Sequence, residues 1–110
     1  MVMKIKIKPL SINEAWAGRR FKTPKYKAFE EELLLKLKPM DVPEGKLSIS
    51  ILYGMSNMQS DVDNPTKTFV DVLQKKYGFN DNKIYAMVLV KEKVAKGEEF
   101  IEFSLDEYNG

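Results

Sequence analysis

Between Ser60 and Lys67 the chain reads S-D-V-D-N-P-T-K, which sets two carboxylates, Asp61 and Asp63, two residues apart with Lys67 just beyond them. In an extended segment, residues i and i+2 project to the same side, so the two carboxylates can share a cation. A further aspartate, Asp81, stands in Y-G-F-N-D-N-K. Carboxylate oxygens suit Mg²⁺, which is commonly held by one or two of them plus water and substrate phosphate. A pair of such ions activates a water and stabilises the leaving oxygen in phosphodiester hydrolysis. The chain has no cysteine and no histidine, so thiolate and imidazole chemistry are absent and any bound metal must be held by oxygen. Whether Asp61, Asp63 and Asp81 converge depends on strand directions, which the sequence does not specify.

The same residues have ordinary structural uses. Asp63 and Asn64 are favoured helix caps, Pro65 suits the first helical position, and Asp81-Asn82 suits a turn. One carboxylate suffices for a cap, however, which leaves Asp61 without a role, and two carboxylates this close repel unless a positive charge lies between them. Lys67 falls in the first turn of the following helix, where the helix dipole disfavours a cation by about 0.3–1 kcal/mol. Its plain explanation is an ion pair with Asp71, four residues on. An EF-hand loop starting at Asp61 is excluded, because glycine and glutamate are required where the chain has Thr66 and Val72. No Gly-rich phosphate loop occurs.

The elements that must position these residues follow from periodicity. Met3, Ile5 and Ile7 alternate with Lys4, Lys6 and Lys8, the pattern of a strand with one buried face. Residues Pro9 to Thr23 form an irregular segment, long for a structureless connection in a small domain. Thr23-Pro24 then opens a helix whose apolar residues Tyr26, Phe29, Leu33 and Leu37 recur at helical spacing until Pro39. Leu47 to Tyr53 alternates as a second strand, and Pro65 to Tyr77 is a second helix closed by Gly78. Ile84 to Val90 is apolar at every position, which predicts a central strand covered on both faces. Glu99 to Leu105 is the last strand. The expected fold is α/β, a single domain over residues 1–110 with order β-α-β-α-β-β, a mixed sheet of about four strands and two helices.

A chain of 110 residues, 44% hydrophobic and 31% charged, has the composition of one soluble globular domain. It shows neither the apolar run of a signal peptide nor a span long enough to cross a bilayer, so a cytoplasmic protein with no membrane partner is expected. The net charge is +2, but Lys4 to Lys27 contains eight basic residues against one acid, Glu14. That segment therefore carries +7 and the remainder −5. Arg19, Arg20, Lys22, Lys25 and Lys27, interleaved with Trp16, Phe21 and Tyr26, are suited to tracking phosphates and stacking on distorted bases. The alternative is a solvated basic loop with Trp16 and Phe21 in the core. Lysines on the first strand have a further use as guards of a sheet edge.

Taken together, the pattern resembles the RusA-type Holliday junction resolvases, small Mg²⁺-dependent endonucleases. Asp61, Asp63, Asn64 and Lys67 match the family's D-x-D-N-x-x-K, Asp71-Val72-Leu73 resembles its D-A-L segment, and Asp81 matches a further aspartate about 18 residues on. Pro9, Ser11 and Asn13 resemble its P-x-S-x-N element. Pro65 and Thr66 depart from the family's apolar residues, and N-D-N-K replaces a more acidic turn. The resemblance implies a homodimer that binds four-way DNA junctions in recombination and repair and cuts two opposed strands, in a bacterium or a bacterial host of a phage. It further implies Asp61, Asp63 and Asp81 as ligands of Mg²⁺, with Mn²⁺ a substitute, and Lys67 acting near the scissile phosphate. Together with the basic segment it makes Asn13, Trp16, Arg19, Arg20, Lys22 and Lys25 the candidate DNA contacts. Two other readings are a non-catalytic DNA-binding accessory module and a small protein-interaction domain.

Overall fold

The computed structural model describes residues 2–18, 21–59 and 61–110. Its main sheet has four strands, β1 (Val2–Ile5), β4 (Leu47–Met55), β5 (Ile84–Lys93) and β6 (Phe100–Glu107), in the order β1-β6-β4-β5. Strands β4 and β5 are parallel, joined by the helix α3 (Asn64–Tyr77), whereas β6 runs antiparallel to both β4 and β1. The expected single α/β domain with a mixed four-stranded sheet is thus observed.

Alternation along β4 explains the two-layer arrangement. Leu47, Ile49, Ile51 and Tyr53 point to one face and are buried, and Met3, Ile5, Ile101, Phe103 and Leu105 extend the same apolar floor. On that floor lie α3, through Phe69, Val72 and Leu73, and α2 (Pro24–Lys36), through Tyr26, Phe29 and Leu33. Phe69 meets Phe103 edge to face at 5.2 Å between ring centres. The reverse face carries Ser50, Lys4 and Val88, all exposed.

The ends of the helices follow the expected chemistry. Thr23 caps α2, its Oγ accepting from the Tyr26 N–H at 3.2 Å, and Gly78 closes α3 in the left-handed region at φ 72°. Thr68, wholly buried on α3, donates towards the carbonyls of Leu10 at 2.7 Å and Pro65 at 2.9 Å, tying the N-terminal segment to the helix.

Two expectations are corrected. The segment from Pro9 to Thr23 is not irregular throughout. It contains a short helix α1 (Ile12–Ala15), capped by Ser11, and a small ladder between β2 (Trp16–Ala17) and β3 (Phe21–Lys22). Four- and two-residue elements are too short to leave a period in the sequence. Strand β5 is not central but lies at the edge of the sheet. Its apolar run gave the wrong position because burial on both faces and exposure at an unpaired edge leave the same residue pattern when the edge is not protected. The first strand is also shorter than its alternation implied, pairing only over Val2–Ile5.

Candidate functional site

The parallel pairing of β4 and β5 determines where the acidic residues lie. Helix α3 leaves from the C-terminal end of β4 and returns the chain to the start of β5. Asp61 and Asp63 therefore stand at its first turn, and Asp81, the first residue of a single 3-10 turn (Asp81–Lys83), stands past its last. Fourteen helical residues separate the two ends, about 20 Å at 1.5 Å per residue. Among the described residues no group of three or more acidic side chains is placed to hold a metal ion. The three aspartates singled out from the sequence do not meet at one point within a protomer.

What joins them is a groove. An open cleft of about 440 Å³ runs between α3 and β5, with Asp63, Lys67, Asp71 and Asp81 on its polar wall and Tyr85, Met87 and Leu89 on its apolar one. Spacings of four, four and three place residues 63, 67, 71 and 74 on one helix face. Asp61 is exposed and does not line this cleft.

The local chemistry of each residue is distinct. Asp63 occupies the N-cap position of α3, yet its side chain makes no capping bond, so the carboxylate is not consumed by the helix end. Its carbonyl accepts from the Thr66 N–H at 3.2 Å, and the Asp61 carbonyl from Asn64 N–H at 3.2 Å, which fixes the turn through backbone alone. Thr66 fastens this turn below. Its hydroxyl bonds the Val62 carbonyl at 2.7 Å and meets the Tyr53 hydroxyl at 2.7 Å inside the core. Lys67 forms no ion pair within 4 Å among the described residues, so the expected surface pair with Asp71 is not made.

Partial burial pushes the Asp71 carboxyl up. Lys67 counters that shift, and the nearby charge of Asp81 adds to it. Asp71 and Asp81 are also linked through Gln74, whose amide nitrogen approaches the Asp71 carboxylate at 3.4 Å while its carbonyl oxygen accepts the Asp81 N–H at 2.9 Å. Sequence reasoning gave Gln74 no role, and Asp71 a helical pairing and a place in the D-A-L resemblance but no place in the site. The signal available for both was their place on the Asp63 and Lys67 face.

The basic residues are nearby but engaged. Lys22 on β3 and Lys75 on α3 both bind Glu30, at 2.8 and 2.9 Å. Burial alone would raise the Glu30 carboxyl, but hydrogen bonds from these two lysines hold it below the usual carboxylate range. Lys22 also lies 4.9 Å from the Tyr26 ring centre, and Lys25 pairs with Glu14 at 3.6 Å on the surface. Trp16 is half-buried, edge-on to Tyr26 at 5.6 Å, whereas Phe21 is 72% exposed, outside the core. Asn13 is exposed on α1, its N–H bonded to the Ser11 hydroxyl. Arg19 and Arg20 lie outside the described residues.

A second, smaller hollow of about 260 Å³ opens at the other side of the α3 N-terminus, lined by Lys8, Ser11, Glu14, Asn57 and Glu99 among others. Glu99 is buried there. Its own backbone N–H, the Ser56 hydroxyl and the Gly97 N–H hold its carboxyl below the usual range, so it closes the β5–β6 turn rather than facing a ligand unpaired.

A scan against protein-family models returns no match to the chain, and a search of curated proteins finds no similar sequence. Among the described residues no helix is long and apolar enough to cross a membrane.

Proposed function

We propose that the protein is a Mg²⁺-dependent endodeoxyribonuclease that resolves four-way DNA junctions as a homodimer, the activity implied by its resemblance to the RusA-type resolvases. The observation that supports this reading best is the groove along α3. It exposes Asp63, Asp71 and Asp81 beside Lys67, and none of these carboxylates is spent on an ion pair among the described residues. An all-oxygen donor set fits a hard cation that keeps most of its water, as Mg²⁺ does when one or two carboxylates and a phosphate complete its shell. Bound there, the metal would supply an activated water and stabilise the departing 3′ oxygen. Asp61, Asp63 and Asp81 are the residues proposed to hold it, and Lys67 to meet the scissile phosphate.

The 20 Å between the two ends of α3 bears on the homodimer. A site using both Asp63 and Asp81 needs the opposite ends of two helices side by side, which a two-fold axis next to the groove provides. On the DNA side, Lys25 is held only by an exposed pair with Glu14, of the kind that contributes little and yields readily to a phosphate. Arg19, Arg20 and Lys22 would extend that track, with Phe21 and Trp16 offering surfaces for unstacked bases.

The test is a synthetic four-way junction incubated with the purified protein, with Mg²⁺ or with EDTA. Paired, ligatable cuts that require Mg²⁺ and vanish in Asp63→Asn, with junction binding retained, are expected. Cleavage that survives EDTA or Asp63→Asn removes the proposed mechanism. One observation favours a second reading, a DNA-binding accessory module without turnover: among the described residues of one protomer no three carboxylates converge. Salt-sensitive junction binding with no cleavage under any divalent ion would establish that alternative.

A further inference from the structure

We propose that a second copy of this chain pairs along the outer edge of β5, antiparallel about a two-fold axis at Val88, so that two four-stranded sheets become one of eight strands. This deepens the proposed homodimer by naming its surface and register, and it does not depend on nuclease chemistry.

The two edges of the sheet are built differently. Strand β1 is four residues long and carries Lys4, and Lys36 of α2 donates to the Lys6 carbonyl just past its end at 2.6 Å. Short length, lysine and a covering helix are the usual devices against edge pairing. Strand β5 is ten residues long, and from Ile84 to Val90 it has no charge, proline or glycine. Tyr85, Met87, Val88 and Val90 are 58, 45, 59 and 49% exposed, and β4 register puts Met87 on the helix side and Val88 on the reverse face. An edge strand that is apolar on both faces is fitted to become an interior one.

The axis at Val88 lies near the middle of β5. With Val88 opposite its own copy, Met87 faces Leu89, Ala86 faces Val90, Tyr85 faces Lys91 and Ile84 faces Glu92, and like charges, Lys83 and Lys93, meet only at the ends of the ladder. Sliding the copy two residues one way sets Lys83 against Lys91, and two residues the other way sets Met87 against Lys91 and Ala86 against Glu92. A stable pair of this kind must bury roughly 1,000 Å². A two-fold axis perpendicular to the sheet leaves both helix layers on the same side, and both α3 grooves, each walled by β5, flank the axis. The outer edges of the pair are then the two protected β1 strands, so association closes at two copies.

The chain has no cysteine, so Val88→Cys introduces one thiol per protomer, on an exposed position away from the core. Directly opposed residues in an antiparallel pair lie about 4.5–5.5 Å apart at Cα, within disulfide range. Under mild oxidation Val88→Cys is expected to yield covalent dimer quickly, whereas Leu35→Cys, on an exposed α2 position, stays monomeric. Wild type should sediment at twice 12.7 kDa. Val88→Glu and Val88→Lys should each be monomeric with unchanged circular dichroism, and an equal mixture of the two should recover dimer. A wild type that is monomeric at about 100 µM, far above any useful dissociation constant, overturns the proposal. So does a Val88→Cys chain that cross-links no faster than Leu35→Cys, or a Val88→Glu chain that remains dimeric. A dimer with no junction cleavage keeps this surface and removes the nuclease reading, while junction cleavage by a dimer that does not cross-link through Val88→Cys keeps the nuclease reading and removes this surface.

Discussion

The relay from Tyr53 through Thr66 to the Val62 carbonyl ties the acidic turn to the centre of the sheet, and its energetics can be separated by a mutant cycle. Tyr53 is wholly buried and Thr66 nearly so, so neither hydroxyl can turn to water. Tyr53→Phe keeps the ring and removes one hydrogen bond to a hydroxyl that still bonds Val62, a loss of about 1 kcal/mol. Thr66→Val keeps the shape but strands the buried Tyr53 hydroxyl and frees the Val62 carbonyl, a loss of about 2–3 kcal/mol. The double variant no longer holds an unpaired hydroxyl at position 53, so it should cost about 2 kcal/mol rather than the sum, a coupling of about 1–2 kcal/mol. Urea unfolding followed by far-UV circular dichroism gives all three values, and each kcal/mol should appear as a fall of roughly 4–6 °C in Tm. Additivity to within about 0.5 kcal/mol would refute the shared relay. A neutral Thr66→Val would refute the anchoring of the turn altogether.

Other outcomes follow from individual contacts. The folded Asp71 carboxyl is raised by burial, so its ionisation disfavours the fold and stability falls as pH rises through the raised value; Asp71→Asn should raise Tm at neutral pH and leave it little changed in acid, as measured by thermal melts across pH. Glu30 has the opposite sign: its lowered carboxyl stabilises the fold above the unfolded value, and that contribution is lost as pH falls through the folded one. Glu30→Gln should therefore lower Tm at neutral pH and converge with wild type in strong acid. A Cβ at Gly54 would lie 2.3 Å from the Phe100 ring, so Gly54→Ala should cost about 1–3 kcal/mol in urea unfolding, with Phe100→Leu in the same chain recovering part of it.

Long periodic segments were legible in the sequence because burial of one face writes a period into it. Leu47 to Tyr53, Pro24 to Leu37 and Pro65 to Tyr77 needed no further information, and Thr23 and Gly78 marked helix ends through local bonding alone. The position of β5 was not legible, since an apolar run reports a wish for burial without saying what provides it. The acidic motif was legible as a set of exposed carboxylates but not as an arrangement. Asp61 and Asp63 are close to each other by chain connectivity, whereas the place of Asp81 depends on β5 running parallel to β4, a pairing between residues more than thirty positions apart. Gln74 was missed because an amide that links two acids looks like any surface glutamine until the 3-10 turn folds back over it.

The strand order has a consequence for how the protein comes off the ribosome. Strand β6, made after the other strands of the sheet, occupies an interior place between β1 and β4. Until it emerges, β1 lacks the strand it pairs with among the described residues, since its ladder joins Val2–Ile5 to residues 101–104. The nascent chain therefore holds a β4-α3-β5 unit with the inner edge of β4 open, its apolar floor of Leu47, Ile49 and Ile51 waiting for a strand not yet synthesised. Closure is by insertion once residues 100–107 have emerged, and a pause shortly before Phe100 would expose two unsatisfied strand edges that the folded domain covers.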